Sequence, residues 1–140
     1  MPRWPKRRKR AGVDEYGRNA LWVAAFKGEL DTVKNLIAAG VNPNDSDDSG
    51  YGPLHVAIQE KHFEVIEYLL LHGADPNLKD KNGNVPLWVA ISNWDRTNKI
   101  IILLLQCNAD PTTPNNVGNR PCDALVNVEG EIAVHMRKWL

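Results

Sequence analysis

The residue types that do chemistry are thinly spread in this 140-residue chain. It holds four histidines (His55, His62, His72 and His135), three serines (Ser46, Ser49 and Ser92) and two cysteines (Cys107 and Cys122). A serine nucleophile needs a base within hydrogen-bond reach and is often carried on a Gly-x-Ser-x-Gly elbow, which is absent. A zinc hydrolase of the common kind sets two histidines one helical turn apart, as in His-Glu-x-x-His, and that motif is absent too. No Cys-x-x-Cys pair is available for redox or zinc chemistry, and no glycine-rich loop for cradling a phosphate. The reading is therefore a non-enzyme with no catalytic residue, no metal site and no cofactor. Cys107 and Cys122 read as small buried side chains, and Asp75 and Asp110 as turn aspartates that bond their own backbone.

What remains is chemistry of recognition, carried by charge and aromatic rings. The formal net charge of zero hides an asymmetry. Arg3, Lys6, Arg7, Arg8, Lys9 and Arg10 are six of the 17 basic residues, which leaves 11 basic against 17 acidic and about −6 beyond residue 10. Residues 1–12 are expected to form a disordered basic arm, because like charges repel and nothing there builds a core. The alternative use of residues 3–10 is a weak nucleic-acid contact, with Trp4 stacking on a base. The cluster Asp45, Asp47 and Asp48 would favour a basic partner and speed its approach. The longest apolar run, Ile100–Leu105, is far too short to span a membrane. No signal peptide is expected, and two cysteines make no disulfide framework, so a reducing cytoplasm is the expected setting.

These side chains are positioned by a repeat. Gly50-Tyr51-Gly52-Pro53-Leu54-His55-Val56-Ala57-Ile58 leads into an apolar helix, Val65, Ile66, Leu69 and Leu70, and then Gly73-Ala74-Asp75-Pro76-Asn77. About 33 positions earlier stand Gly17, Ala20-Leu21, Ala24-Ala25, Leu36-Ile37 and Gly40-Val41-Asn42-Pro43-Asn44. About 33 later stand Gly83, Pro86-Leu87 and Ala90-Ile91. The unit is a turn closed by glycine, a first helix opened by proline, a second apolar helix and a left-handed cap. The first repeat predicts helices over about 20–27 and 30–39, with Gly28 and Gly40 ending them. In the third repeat two residues are added within Ser92–Asn98, and Asn108 takes the capping place of glycine. Its second helix is apolar almost all round, so it should be deeply buried or expose a patch.

This pattern resembles the ankyrin repeat, over roughly residues 14–140. The resemblance implies an all-α solenoid of helix-turn-helix units with β-turn fingers, in repeats of about 14–46, 47–79 and 80–114 and a degenerate cap, 115–140. The family's Thr-Pro-Leu-His signature is intact nowhere in this chain. Its four versions are Asn19-Ala20-Leu21-Trp22, Gly52-Pro53-Leu54-His55, Val85-Pro86-Leu87-Trp88 and Arg120-Pro121-Cys122-Asp123. An indole N–H can replace only the donating half of the histidine's role. Trp22 and Trp88 are accordingly read as structural.

The resemblance also implies protein binding, through finger tips and the ends of the first helices. The corresponding positions are Glu15, Tyr16, Arg18, Phe26 and Lys27 in the first repeat. In the second they are Asp47, Asp48, Ser49, Tyr51, Gln59 and Glu60. The third supplies Lys81, Asn82, Asn84, Ser92 and Asn93, with Trp94 alongside, and the fourth Asn116, Val117 and Asn119. Phe26, Tyr51 and Trp94 are the expected anchors, since buried aromatics ringed by polar residues carry most interface energy. A small array with Leu-Trp-x-Ala helices also resembles bacterial ankyrin proteins, immunity proteins that neutralise toxins among them. The expected protein is a monomer that occupies the surface of another protein, a basic toxin domain being one form of partner. The rival reading is a nucleic-acid-associated or nuclear adaptor using the basic arm.

Overall fold

The computed structural model describes residues 11–94, 98–125 and 130–139. The expectations for residues 1–10, and for Asp95, Arg96 and Thr97 of the lengthened segment, lie outside the described residues. Helices follow in pairs: α1 Ala20–Lys27 with α2 Leu30–Ala38, α3 Pro53–Gln59 with α4 Phe63–Leu71, and α5 Pro86–Ser92 with α6 Lys99–Gln106. The last pair is short, α7 Pro121–Ala124 and α8 Glu131–Met136, closed by a 3-10 turn at Arg137–Trp139.

The sequence sets the ends of these helices. Pro53, Pro86 and Pro121 each open a helix at its first position, where a missing N–H costs nothing. α1 lacks that proline and is opened by a side chain: Asn19 Oδ1 accepts the Trp22 N–H at 2.9 Å. Asn108 stands at φ 68° where the first two repeats have Gly40 and Gly73, the left-handed position that asparagine tolerates best after glycine.

Helices α1, α3, α5 and α7 pack side by side in that order, and each of the first three also packs on its own pair-mate. One apolar seam runs between the layers. Leu21, Ile58, Ile66, Leu69, Leu87, Leu104 and Ile132 are all at most 1% exposed. Burying each such side chain contributes about 1.5–3 kcal/mol. The second helix of the third repeat falls between the two expectations for it. Ile101, Leu104 and Leu105 are buried, while Ile100, Ile102 and Leu103 are half-buried against the same core. The lengthening lies where the repeat offset places it: 93–98 separates α5 from α6, whereas only 60–62 separates α3 from α4.

Candidate protein-interaction face

Each repeat begins with the same finger, built by one carboxylate or amide. Asp47 Oδ1 accepts the N–H groups of Ser49 and Tyr51, both at 2.9 Å. Asp14 does the same for Tyr16 and Arg18, Asp80 for Asn82 and Asn84, and Asn115 for Val117 and Asn119. An aspartate or asparagine that bonds the backbone two residues on mimics a turn, which is why these types recur here. The fingers are laddered together by main-chain bonds. Asp48 N–H donates to Tyr16 C=O, Lys81 N–H to Ser49 C=O and Asn116 N–H to Asn82 C=O, at 2.9–3.0 Å. Finger one needs its glycine for space as well as for its turn. A Cβ on Gly17, at φ 78°, would lie 2.5 Å from Asp48 Oδ1.

A second tie joins each first helix to the next finger, and here the altered signature is resolved. His55 Nε2 lies 3.2 Å from Asn84 C=O, so the nitrogen donates. Trp22 Nε1 donates to Tyr51 C=O at 3.1 Å, and Trp88 Nε1 to Asn119 C=O at 3.3 Å. The three receiving carbonyls occupy one position of the repeat. Tryptophan thus keeps the donating half of the histidine's role. The accepting half is kept in repeat two, where His55 Nδ1 takes the N–H of Gly52 at 3.1 Å. On the opposite edge, Asn44 accepts from Asp75 N–H and donates to Gly73 C=O. Asn77 repeats both bonds with Asp110 and Asn108.

Among the described residues, two hollows lie between the fingers and the first helices. The first, about 390 Å³, is lined by Tyr16, Arg18, Asp47, Asp48, Ser49 and Lys81, with Trp22 as its wall. The second, about 370 Å³, gathers Tyr51, Asn84, Ser92 and Asn93 around Trp88, with Asp80, Val89, Asn115 and Asn119. The expected positions Glu15, Phe26, Lys27, Gln59, Glu60, Asn82, Trp94, Asn116 and Val117 line neither hollow; all nine are exposed. Phe26 is 42% exposed and stacks on Trp22, ring centroids 5.7 Å apart. Trp94 is 41% exposed and Tyr16 56%. The Arg18 guanidinium lies 4.7 Å from the Tyr16 ring and 5.2 Å from that of Trp22, and its Nε bonds Asp14 Oδ2 at 2.6 Å. A cation held between two rings is a fixed feature rather than a floating charge.

A family model described as ankyrin repeats, in three copies, matches residues 6–80, more than half of the chain. The chain belongs to the ankyrin-repeat family. No curated protein matches it. Ankyrin arrays are in general protein–protein interaction modules and typically lack catalysis, in keeping with the all-α stack seen here. Among the described residues no helix is long and apolar enough to cross a membrane, and no group of three potential metal ligands comes together.

Several expected contact residues of this ankyrin array are also builders of it. Asp47 spends Oδ1 on two backbone bonds, and Asn84 is tied through its N–H, its C=O and its Oδ1, which accepts from Asn115. Tyr51 was expected as a surface side chain at the turn. It is half-buried instead, its ring 4.8 Å from that of His55 and its hydroxyl donating to Gln59 Oε1 at 3.0 Å. Burial, together with the nearby charges of Asp80, Asp47 and Glu60, pushes its hydroxyl up to about 12. Sequence reasoning missed Asp80 and Asn115 as lining residues. The signal was present in the repeat offset, which aligns both with Asp14 and Asp47. Trp22 and Trp88 were read as structural; they are, yet their outer faces also wall the hollows.

Proposed function

We propose that this ankyrin array, taken as residues 13–140 with residues 1–12 as a basic arm, acts without catalysis by binding another protein across the fingers and the two hollows. One observation carries the reading. Three large aromatics, Tyr16, Phe26 and Trp94, remain substantially exposed on a scaffold whose finger backbone groups are already bonded to one another. Aromatic side chains held on a rigid frame are what hot spots are made of, because little ordering entropy is lost on contact. The acidic turn Asp45, Asp47 and Asp48 supports a partner that presents basic residues. The finer reading is a stoichiometric inhibitor, of the immunity type, that covers the working surface of a basic toxin domain. It rests on the resemblance to bacterial arrays and on that charge.

The test is affinity capture with the full chain, a chain lacking residues 1–10, and Phe26→Ala and Trp94→Ala variants. Under this reading the truncated chain keeps its protein partner and the aromatic variants lose it. Loss of all binding on truncation, with nucleic acid recovered from the full chain, would replace the reading by the nucleic-acid adaptor.

A further inference from the structure

His55 is the only buried polar side chain of the described residues, and it is fully enclosed. Both ring nitrogens are committed. Nδ1 accepts the Gly52 N–H, and Nε2 donates to Asn84 C=O, which fixes the neutral tautomer with its proton on Nε2. A proton on Nδ1 would set N–H against N–H and break that bond, although the Leu78 backbone, which also meets the ring, favours the charged form. The charged groups facing the ring are Asp80 of finger three and Asp47 of finger two, with the Tyr51 ring beside it. Burial outweighs these carboxylates and holds the imidazole below its ordinary range. The equivalent ties on either side are Trp22 and Trp88, which have no titrating group. The other histidines with a described ring bond, His62 and His72, each meet a backbone carbonyl, an acceptor that suits the charged ring as well as the neutral one.

We propose that the junction between the second and third repeats is an acid-released clasp: a proton on His55 Nδ1 breaks the bond to Gly52 and drives the charged ring out of its enclosed site, which withdraws Nε2 from Asn84 C=O, loosens finger three from α3 and reshapes the second hollow, while the indole ties on either side hold. In a stack whose repeats touch only their neighbours, one junction can open without the others. Asn84 and Tyr51 line the second hollow, so acid acts on one half of the binding face and spares the other. This consequence for binding rests on the reading of the face given above; the release itself belongs to the fold and needs no partner.

The experiment is amide hydrogen exchange on the full chain without partner, with protection factors corrected for the intrinsic pH dependence, between about pH 7.5 and about pH 5.5. Protection at Gly52 and Asn84 is expected to fall by up to about tenfold, the limit for one imidazole over that range, while Tyr51 and Asn119 change less than about twofold. Two variants locate the proton. His55→Gln keeps an acceptor and a donor without a titrating group and should abolish the fall. Asp80→Asn removes a facing charge that favours the charged ring in the closed junction, leaves a turn that Asn115 shows an amide can hold, and should deepen the fall towards low pH while its onset stays in place. Equal loss at all three junctions, no loss at Gly52, or a fall that Asp80→Asn makes shallower would each overturn the proposal.

Discussion

Two leucines two residues apart, on opposite sides of α4, offer a direct measurement of which way each helix faces. Leu69 is 0% exposed and Leu71 is 71% exposed, within the same nine-residue helix. Truncating either to alanine removes the same atoms and makes the same small change in helix propensity. The difference between the variants therefore isolates burial. Leu69→Ala deletes fully enclosed methyl groups and leaves a cavity in the seam, which costs about 2–5 kcal/mol. Leu71→Ala gives up contacts with water and should stay within about 0.5 kcal/mol of the parent. Urea unfolding followed by circular dichroism reads the difference as a shift in midpoint, provided the slopes agree and the stack unfolds as one unit. Leu71 serves better as the surface control than Tyr51, which is half-buried. Equal midpoint shifts in the two variants would refute the assigned facing of α4, and with it the repeat register.

Asn44→Ala removes two cross-repeat bonds and should cost about 1–3 kcal/mol by the same assay; a neutral result would mean that water replaces both bonds freely. In a spectrophotometric titration one tyrosine should ionise only near about 12, and Tyr51→Phe should remove that step. Because the folded state favours the neutral hydroxyl, this contribution to stability is complete below pH 10 and declines as the pH rises towards about 12. With a partner in hand, Phe26→Ala and Trp94→Ala should each cost at least about 2 kcal/mol of binding, against under about 1 for Lys81→Ala. Asp47→Asn with Asp48→Asn should slow association and flatten its salt dependence while sparing dissociation, with the fold intact because Asn115 holds the same turn. If the aromatic variants bind normally and Glu67→Ala does not, the partner uses the opposite face.

The helices were legible because their punctuation is local. Gly28, Gly40 and Asn108 stop helices, Pro53 and Pro86 start them, and each signal acts within one turn of its own position. The cross-repeat ties were less legible. That an indole can only donate follows from its chemistry, but that Trp22 and Trp88 find the carbonyls of Tyr51 and Asn119 depends on how repeats stack. Asn44 and Asn77 read as ordinary loop residues, since nothing in their type announces bonds to the following repeat. Tyr51 was misjudged for a related reason. Its place in the finger suggests exposure, but its ring is drawn inward against His55, and Gln59 waits one helix away to take its hydroxyl.

The ladder of ties has a kinetic consequence. Each cross-repeat side-chain tie described above joins residues that are 29 to 36 positions apart, whichever repeats it links. The entropy of closing a chain segment depends on the length of that segment, so every junction carries about the same closure cost. Lengthening such an array adds further closures of the same size and none that span the whole chain, which keeps absolute sequence separation fixed as length grows. Folding should then start at whichever junction forms first and spread outwards, one neighbour at a time. The second-to-third junction, where His55 both fixes its own turn at Gly52 and donates across to Asn84, is the best-equipped place for it to begin.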